Sequence, residues 1–445
     1  MLTVLHAPYT FYPDSVGGTE IYVEQLALAL NARGISNRIV APGTQSETYR
    51  YRGMPVHRIG VAAQVSDLNE LYGGSDASAL AEFCALLDAH PPDVVHLHAV
   101  TRVVSATWVE AAHARGIPVV FTYHTPTVSC VRGTLMLWGR EGCDGELEID
   151  RCTRCRLQSL GIPREVVDIL GFAPRPLRNL AAQHNGGLWT ALRMRDLVAR
   201  QHTALHALLA NVDHVIALSE WTRQLLVRNA VPTSQVSVIP HGLNVDAQNT
   251  IARVPQASNA LRLVALGRLE PIKGIHMLVR AMQQLPDLPI TLDVYGIVQS
   301  ERETPFARQL RERIVHDARI RLLPPVAHEQ VVPLLRQYDM LAAPSQWMET
   351  GPLVVLEAFA AGIPVLGSNL GGIAEKVHDG LDGLLVSATD IAAWRDALQR
   401  LAQDRARVER LRVGVRPPHS MDEVAQEMQG LYERLVMKTA LPLAL

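Results

Sequence analysis

Two acids and two bases stand at spacings that could do chemistry. Glu349 and Glu357 lie in PSQWMETGPLVVLEAFAAGIPVLGSNLGGIAE, Pro344 to Glu375, on either side of Pro352. Pro352 suits the first position of a helix, and Gly362 with Pro364 behind it suits the stop. The apolar run Leu353 to Ala361 between them therefore reads as a buried helix whose amino end lies near Gly351, Pro352, Leu353 and Val354. Backbone N–H groups at that end, with the positive end of the helix dipole, suit a phosphate. Carboxylates are acceptor-only groups and suit the hydroxyls of sugars and riboses. Glu349 precedes the helix and Glu357 lies inside it, so the two can address opposite ends of one ligand.

The bases come earlier, in LRLVALGRLEPIKGIHMLVRAM. Leu261 to Leu266 reads as a strand, Gly267 ends it, and a helix starts near Lys273 or Gly274. Arg268 and Lys273 thus emerge at the carboxyl edge of a sheet, where two cations can neutralise a diphosphate and stabilise it as it leaves. Taken singly, either glutamate would as readily mark a solvated helix start, and either cation ordinary surface charge.

The first half supplies a second set. Thr3 to Ala7 reads as a strand, Gly17-Gly18-Thr19-Glu20 as a loop and Ile21 to Ala32 as a helix. This is a phosphate-approach geometry of doubly wound α/β domains, yet GxGxxG is absent, which counts against a dehydrogenase. Strands over Asn37 to Ala41, Val94 to Leu97 and Val119 to Tyr123 alternate with helical stretches and imply a parallel sheet. His96, His98 and His124 fall at its strand ends, and Arg102 is a candidate for an anionic acceptor.

Together these stretches resemble the retaining, family-4 glycosyltransferases of two-domain GT-B architecture, along nearly the whole chain. The resemblance implies that Glu349 contacts hydroxyls of a donor sugar and Glu357 the ribose of its nucleotide. It implies that His124 is an active-site histidine facing the sugar, and that Gly17 and Gly18 line the cleft beside the donor phosphate. Arg268 and Lys273 would stand in for a divalent metal, so no cofactor is required for the chemistry. The loop at Pro324, Pro325 and Val326 would form a wall for the base. The implied activity is hexosyl transfer with retention from a nucleotide-diphosphate sugar to a hydroxyl of a glycan or lipid-linked sugar, in surface or extracellular polysaccharide or glycolipid synthesis. The rival readings are a non-catalytic sugar-nucleotide-binding protein, and an epimerase or phosphorylase on the same fold.

At 445 residues the chain exceeds what one core usually serves. The expected division is an acceptor-side domain over 1–242 and a donor domain over 243–445, both Rossmann-like, joined by a polar loop from Ala247 to Asn259. The last helix, Met421 to Met437, either stays with the second domain or packs back on the first. A formal net charge of -2 argues against nucleic acid as a partner. Neither a signal peptide nor an apolar run long enough to span a bilayer is read, so the expected location is cytoplasmic, with peripheral contact at the inner membrane face. That contact is suggested by nine arginines between Arg151 and Arg200, interleaved with apolar residues such as Ile169, Phe172, Leu180 and Leu188. A solvated helical face explains the same pattern.

Four of the five cysteines crowd into one excursion: Cys130, Cys143, Cys152 and Cys155, separated by twelve, eight and two residues. A glycine-rich, polar segment of this kind has little apolar content to order it, and four thiolates match a closed tetrahedral zinc site. An iron–sulfur cluster, a redox disulfide and idle thiols remain the alternatives.

Overall fold

The computed structural model describes residues 1–14, 17–61, 67–184, 186–244, 260–297 and 304–440. The chain divides into two units, Met1–Pro240 with Met421–Leu445, and His241–Ser420. The division falls after Pro240 rather than after Gly242, and the final helix groups with the first unit. The connecting stretch expected at 247–259 lies outside the described residues.

The first unit is built on strands β1 (Thr3–Ala7), β2 (Ser36–Gly43), β3 (Glu47–Tyr51), β4 (Met54–Gly60), β5 (Val94–Leu97) and β6 (Val119–Tyr123), a two-stranded hairpin β7 (Met136–Leu137) and β8 (Glu141–Gly142), and then β9 (His214–Ala217) and β10 (Val236–Val238). The main sheet runs β10-β9-β6-β5-β1-β2-β4-β3. Its pairings are parallel except β3 with β4. Central strands such as β1, β5 and β6 are apolar nearly throughout because both faces are covered. The first helix, Gly18–Ala32, packs Tyr22, Val23, Leu26 and Leu30 on the sheet. The final helix, Met421–Ala440, closes the same core with Met421, Val424, Met428 and Tyr432. Arg33 of the first helix's cap bonds Asp422 and Gln429 of the last, which fixes their pairing at the surface.

The second unit is a parallel sheet of β11 (Leu261–Arg268), β12 (Ile290–Ile297), β13 (Ile320–Leu323), β14 (Met340–Ala343), β15 (Val365–Ser368) and β16 (Gly383–Val386), in the order β13-β12-β11-β14-β15-β16. Alternate residues of β11 feed different cores. Leu263 and Ala265 pack with Leu278, Trp394 and Leu398, while Val264 packs with Leu341, Val355 and Phe359. A parallel sheet with helices on both faces carries its ligands at the carboxyl ends of its strands. Those ends hold Arg268, the loop after Ala343 and the turn after Ser368. The helix expected from Ile391 to Leu411 is two helices, Ile391–Gln403 and Arg405–Gly414. Asp404 breaks them by accepting the Arg407 N–H as a cap.

Candidate active site

In the second unit two loops are laced together to place a cation on a buried acid. The Gln346 N–H donates to Ile272 O at 2.7 Å, joining the loop after β14 to the turn after β11. Gly274, at φ +69°, lies against the same loop so tightly that a Cβ would sit 1.8 Å from Pro344 O. Only glycine meets both conditions. The result is that Lys273 Nζ donates to Glu349 Oε1 at 2.8 Å. Ser345 Oγ donates to the same oxygen, and Lys273 stands 5.2 Å from the centre of the Trp347 ring. Burial would raise the Glu349 carboxyl, but the adjacent ammonium and the hydrogen bonds from Lys273 and Ser345 outweigh it and hold the group below the ordinary carboxylate value. Glu349 is therefore an ionised, positioned acceptor.

The glycine pair Gly371-Gly372 supports it from below. The Gly372 N–H donates to Glu349 O at 2.6 Å, and a Cβ on either glycine would press on the Glu349 backbone. The helix runs Leu353–Ala360, so Pro352 is its N-cap and not its first residue. Gly362, at φ +72°, follows the helix end as the sequence implies. Gly351 packs on the buried His241, leaving no room there for a side chain. Glu357 is buried inside the helix, and His328 Nδ1 lies 3.3 Å from its Oε1. His328 follows closely on Pro324, Pro325 and Val326, so that proline loop leads directly to the partner of Glu357. Arg268, at the end of β11, bonds Glu270 at 3.1 Å.

In the first unit, Gly17 caps the first helix and Gly18 begins it, three residues earlier than the apolar pattern suggests. The Gly17 N–H donates to the buried Glu20 carboxylate at 2.9 Å, and burial pushes that carboxyl up. His124 follows β6 and is buried, with its ring 5.0 Å from that of Tyr22. His98 Nδ1 lies 3.1 Å from His124 Nε2. Arg102 is bound to Asp76 at 2.7 Å, a use that the acceptor-binding expectation did not foresee.

Comparison with known families decides what these two sets belong to. Residues 17–242 match the family described as glycosyl transferase 4-like domain, and residues 260–404 match glycosyl transferases group 1. The chain belongs to the family-4 glycosyltransferases. Over 424 residues, 91% of this chain and 87% of the relative, this glycosyltransferase is 24% identical to a D-inositol 3-phosphate glycosyltransferase of Pseudarthrobacter chlorophenolicus. It is 32% identical over 217 residues to the protein of that name from Nocardia farcinica, a match that spans 46% of the chain and only 48% of that relative's length. Its fold is shared with the structure of Anabaena HepE in complex with UDP-glucose, at a TM-score of 0.63 and 15% identity, covering 98% of this chain and all of the other. The architecture is GT-B.

Several residues of this glycosyltransferase escaped sequence reasoning. Ser345, Trp347 and Gly274 lie beside recognised residues, and only the close loop approach reveals their use. His328 carried no signal beyond its place after the proline loop.

In the cysteine excursion three of the four thiols, those of Cys130, Cys143 and Cys152, lie near one another. Burial chiefly, and then neighbouring thiols, push Cys143 and Cys152 up: Cys130 acts on both and Cys143 on Cys152, which reaches about 12. Cys155, one turn along the helix Ile149–Ser159, is buried with its Sγ 3.9 Å from Met136 O. Among the described residues the group of three or more side chains spaced to share a metal is His6, His96 and His98, not the cysteines.

Proposed function

We propose that this glycosyltransferase moves a hexosyl group, with retention, from a nucleotide-diphosphate sugar to a hydroxyl of a glycan or lipid-linked sugar in polysaccharide or glycolipid synthesis. The observation that carries this reading is the Lys273–Glu349 pair, held by two interlocked loops at the carboxyl edge of the second sheet. Glu349 accepts hydrogen bonds from sugar hydroxyls, and Glu357 accepts those of the ribose. Arg268, Lys273 and the N–H groups at Leu353 and Val354 meet the diphosphate and stabilise it as negative charge develops on the leaving oxygen. The family resemblance assigns His124 to contact with the donor sugar. The naming of HepE's ligand as UDP-glucose supports a nucleotide-sugar donor for this chain as well. Charge stabilisation and positioning supply the rate enhancement, so the chemistry asks for no bound metal.

A surface of the first unit supports contact with lipid. Ile169, Phe172 and Leu188 are 74%, 56% and 65% exposed, and they lie on the short helices Arg164–Gly171 and Gly187–Leu192 or directly after the first. Arg164 and Arg175 are exposed beside them. Exposed apolar residues with cations close by in the chain fit an anionic membrane, where a lipid-linked acceptor would reside. No helix among the described residues is long and apolar enough to cross a membrane. For the cysteine excursion the proposal is a structural zinc ion: a buried thiol among other thiols is one that a divalent cation would deprotonate.

The deciding experiment incubates the protein with a panel of nucleotide sugars and measures nucleotide release with and without glycan or lipid-linked acceptors. Acceptor-dependent release supports transfer. Turnover without acceptor, a requirement for free phosphate, or binding without release would each replace the proposal by one of its rivals.

A further inference from the structure

The histidines of the first unit form a directed chain, and we propose that this chain fixes which nitrogen of His124 carries its proton, making His6 and His98 positioning residues for it. The anchor is Asn37. Its amide nitrogen donates toward Ala27 O at 3.1 Å, Asn31 Oδ1 at 2.9 Å and Ile35 O at 2.9 Å. With the nitrogen end so defined, Asn37 Oδ1 faces His6 Nε2 at 2.9 Å as an acceptor. His6 must therefore carry its proton on Nε2, since the other tautomer would set a lone pair against an oxygen.

The remaining links follow in order. His6 Nδ1 is then an acceptor, and His98 Nε2 lies 3.0 Å from it, so His98 donates. His98 Nδ1 becomes an acceptor in turn, and His124 Nε2, 3.1 Å away, donates to it. His6, His98 and His124 are all buried, and the His98 N–H bonds Ala7 O at 2.9 Å, which holds the ends of β1 and β5 together beneath the chain. Burial also keeps His6 neutral, as the single-proton pattern requires.

A shared cation is the competing use of this cluster, because ring nitrogens of His6, His96 and His98 lie within 4.8 Å of one another. The hydrogen bonds account for those nitrogens better. His96 Nδ1 lies 2.6 Å from Tyr432 Oη and its Nε2 2.7 Å from Thr122 Oγ1, while both nitrogens of His6 are links of the chain.

In the tautomer so imposed, Nδ1 is the acceptor atom of His124. On the proposed function, on which this consequence rests, His124 would take a hydrogen bond from a donor-sugar hydroxyl instead of giving one.

The test labels the histidines with 15N and reads each tautomer from two-bond proton–nitrogen correlations in the intact protein. His6, His98 and His124 should all appear protonated at Nε2. An Nδ1-protonated His124, or metal-shifted nitrogens at His6 and His98, would overturn the chain. His6→Gln keeps an amide nitrogen toward Asn37 and a carbonyl toward His98, whereas His6→Leu offers neither. His6→Leu should leave His124 as a tautomer mixture and lower kcat about tenfold with KM within about twofold, and His6→Gln should recover most of the loss. Should His6→Leu fail to fold, the native spectrum and His6→Gln still decide. The expected tautomers with an unchanged kcat in folded His6→Leu would end the positioning role, while failure of the native protein to release nucleotide would count against the proposed function instead.

Discussion

Lys273 Nζ lies 2.8 Å from Glu349 Oε1, and both side chains are largely withdrawn from solvent. Each ion is the other's principal compensation, so removing one strands the other. Lys273→Ala should cost about 3 kcal/mol of stability, because a buried carboxylate remains with the Ser345 hydroxyl as a partner but without its counter-ion. Lys273→Ala should also abolish most turnover. Glu349→Gln keeps the shape and removes the charge, so it should reduce kcat about a hundredfold or more while nucleotide affinity falls only a few-fold. Isothermal titration with the nucleoside diphosphate, set beside steady-state kinetics, checks the split. Equal losses in affinity and kcat would contradict the role given to Glu349.

Gly274 tests whether the loop approach matters as much as the charges do. A methyl there would lie 1.8 Å from Pro344 O in a left-handed backbone conformation, so the loop must move or the residue must strain. Gly274→Ala should destabilise the second unit by about 2 to 4 kcal/mol and displace Lys273. Turnover should fall at temperatures where the variant is still folded. A variant with native melting temperature and native kcat would show that the two loops need not touch.

The alternation of strands with helices made the parallel sheets legible, and the strand ends were placed by simple apolar runs at Val94 to Leu97 and Val119 to Tyr123. The hairpin of β3 and β4 was missed. Its turn, Arg52-Gly53, has both residues at positive φ, but Arg-Gly is a weaker signal than Asn-Gly, and β3 at the sheet edge is half-exposed and polar. The site was legible where a residue type announces its chemistry, as with Glu349, Glu357 and Lys273. It was not legible where function lies in an approach between loops distant in sequence, as with Gly274 against Pro344, or in hydrogen bonds between strands, as with His6 and His98.

The cysteines give a prediction with a simple readout. If zinc orders the excursion, purified protein should carry about one zinc per chain, and a chelator should release it together with an increase in titratable thiols. Cys152→Ser should lose the metal. A folded, metal-free protein whose thiols all react freely would leave the segment held by its own contacts, among them the Arg151 guanidinium on Asp144 and the Asn229 amide on Gly145 O.

Lipid contact can be measured directly. The protein should sediment with vesicles of phosphatidylglycerol and phosphatidylcholine, and less with phosphatidylcholine alone, with the difference shrinking as salt rises. Ile169→Ser with Phe172→Ser removes two exposed apolar groups, which should weaken binding about tenfold or more without changing the melting temperature. Unchanged sedimentation in the double variant would move the contact elsewhere or abolish it.

Acid should unfold the first unit, for a reason located in its core. Burial lowers His6, His202 and His214 from 6.5 to about 4. Between those values the unfolded chain binds protons that the folded chain refuses, so the stability due to each neutral ring is present above pH 6.5 and is lost as pH falls toward 4. Each ring contributes a slope of about 1.4 kcal/mol per pH unit, and three together about 4, which is a large fraction of the stability of an ordinary domain. Urea unfolding at neutral pH and near pH 5.5 should reveal the loss. His202, buried in the helix Met194–Asn211, tests the cause without touching the histidine chain. His202→Leu should flatten the slope by up to about 1.4 kcal/mol per pH unit and make the protein more resistant to acid than the native chain. An unaltered slope in that variant would place the acid sensitivity in other groups.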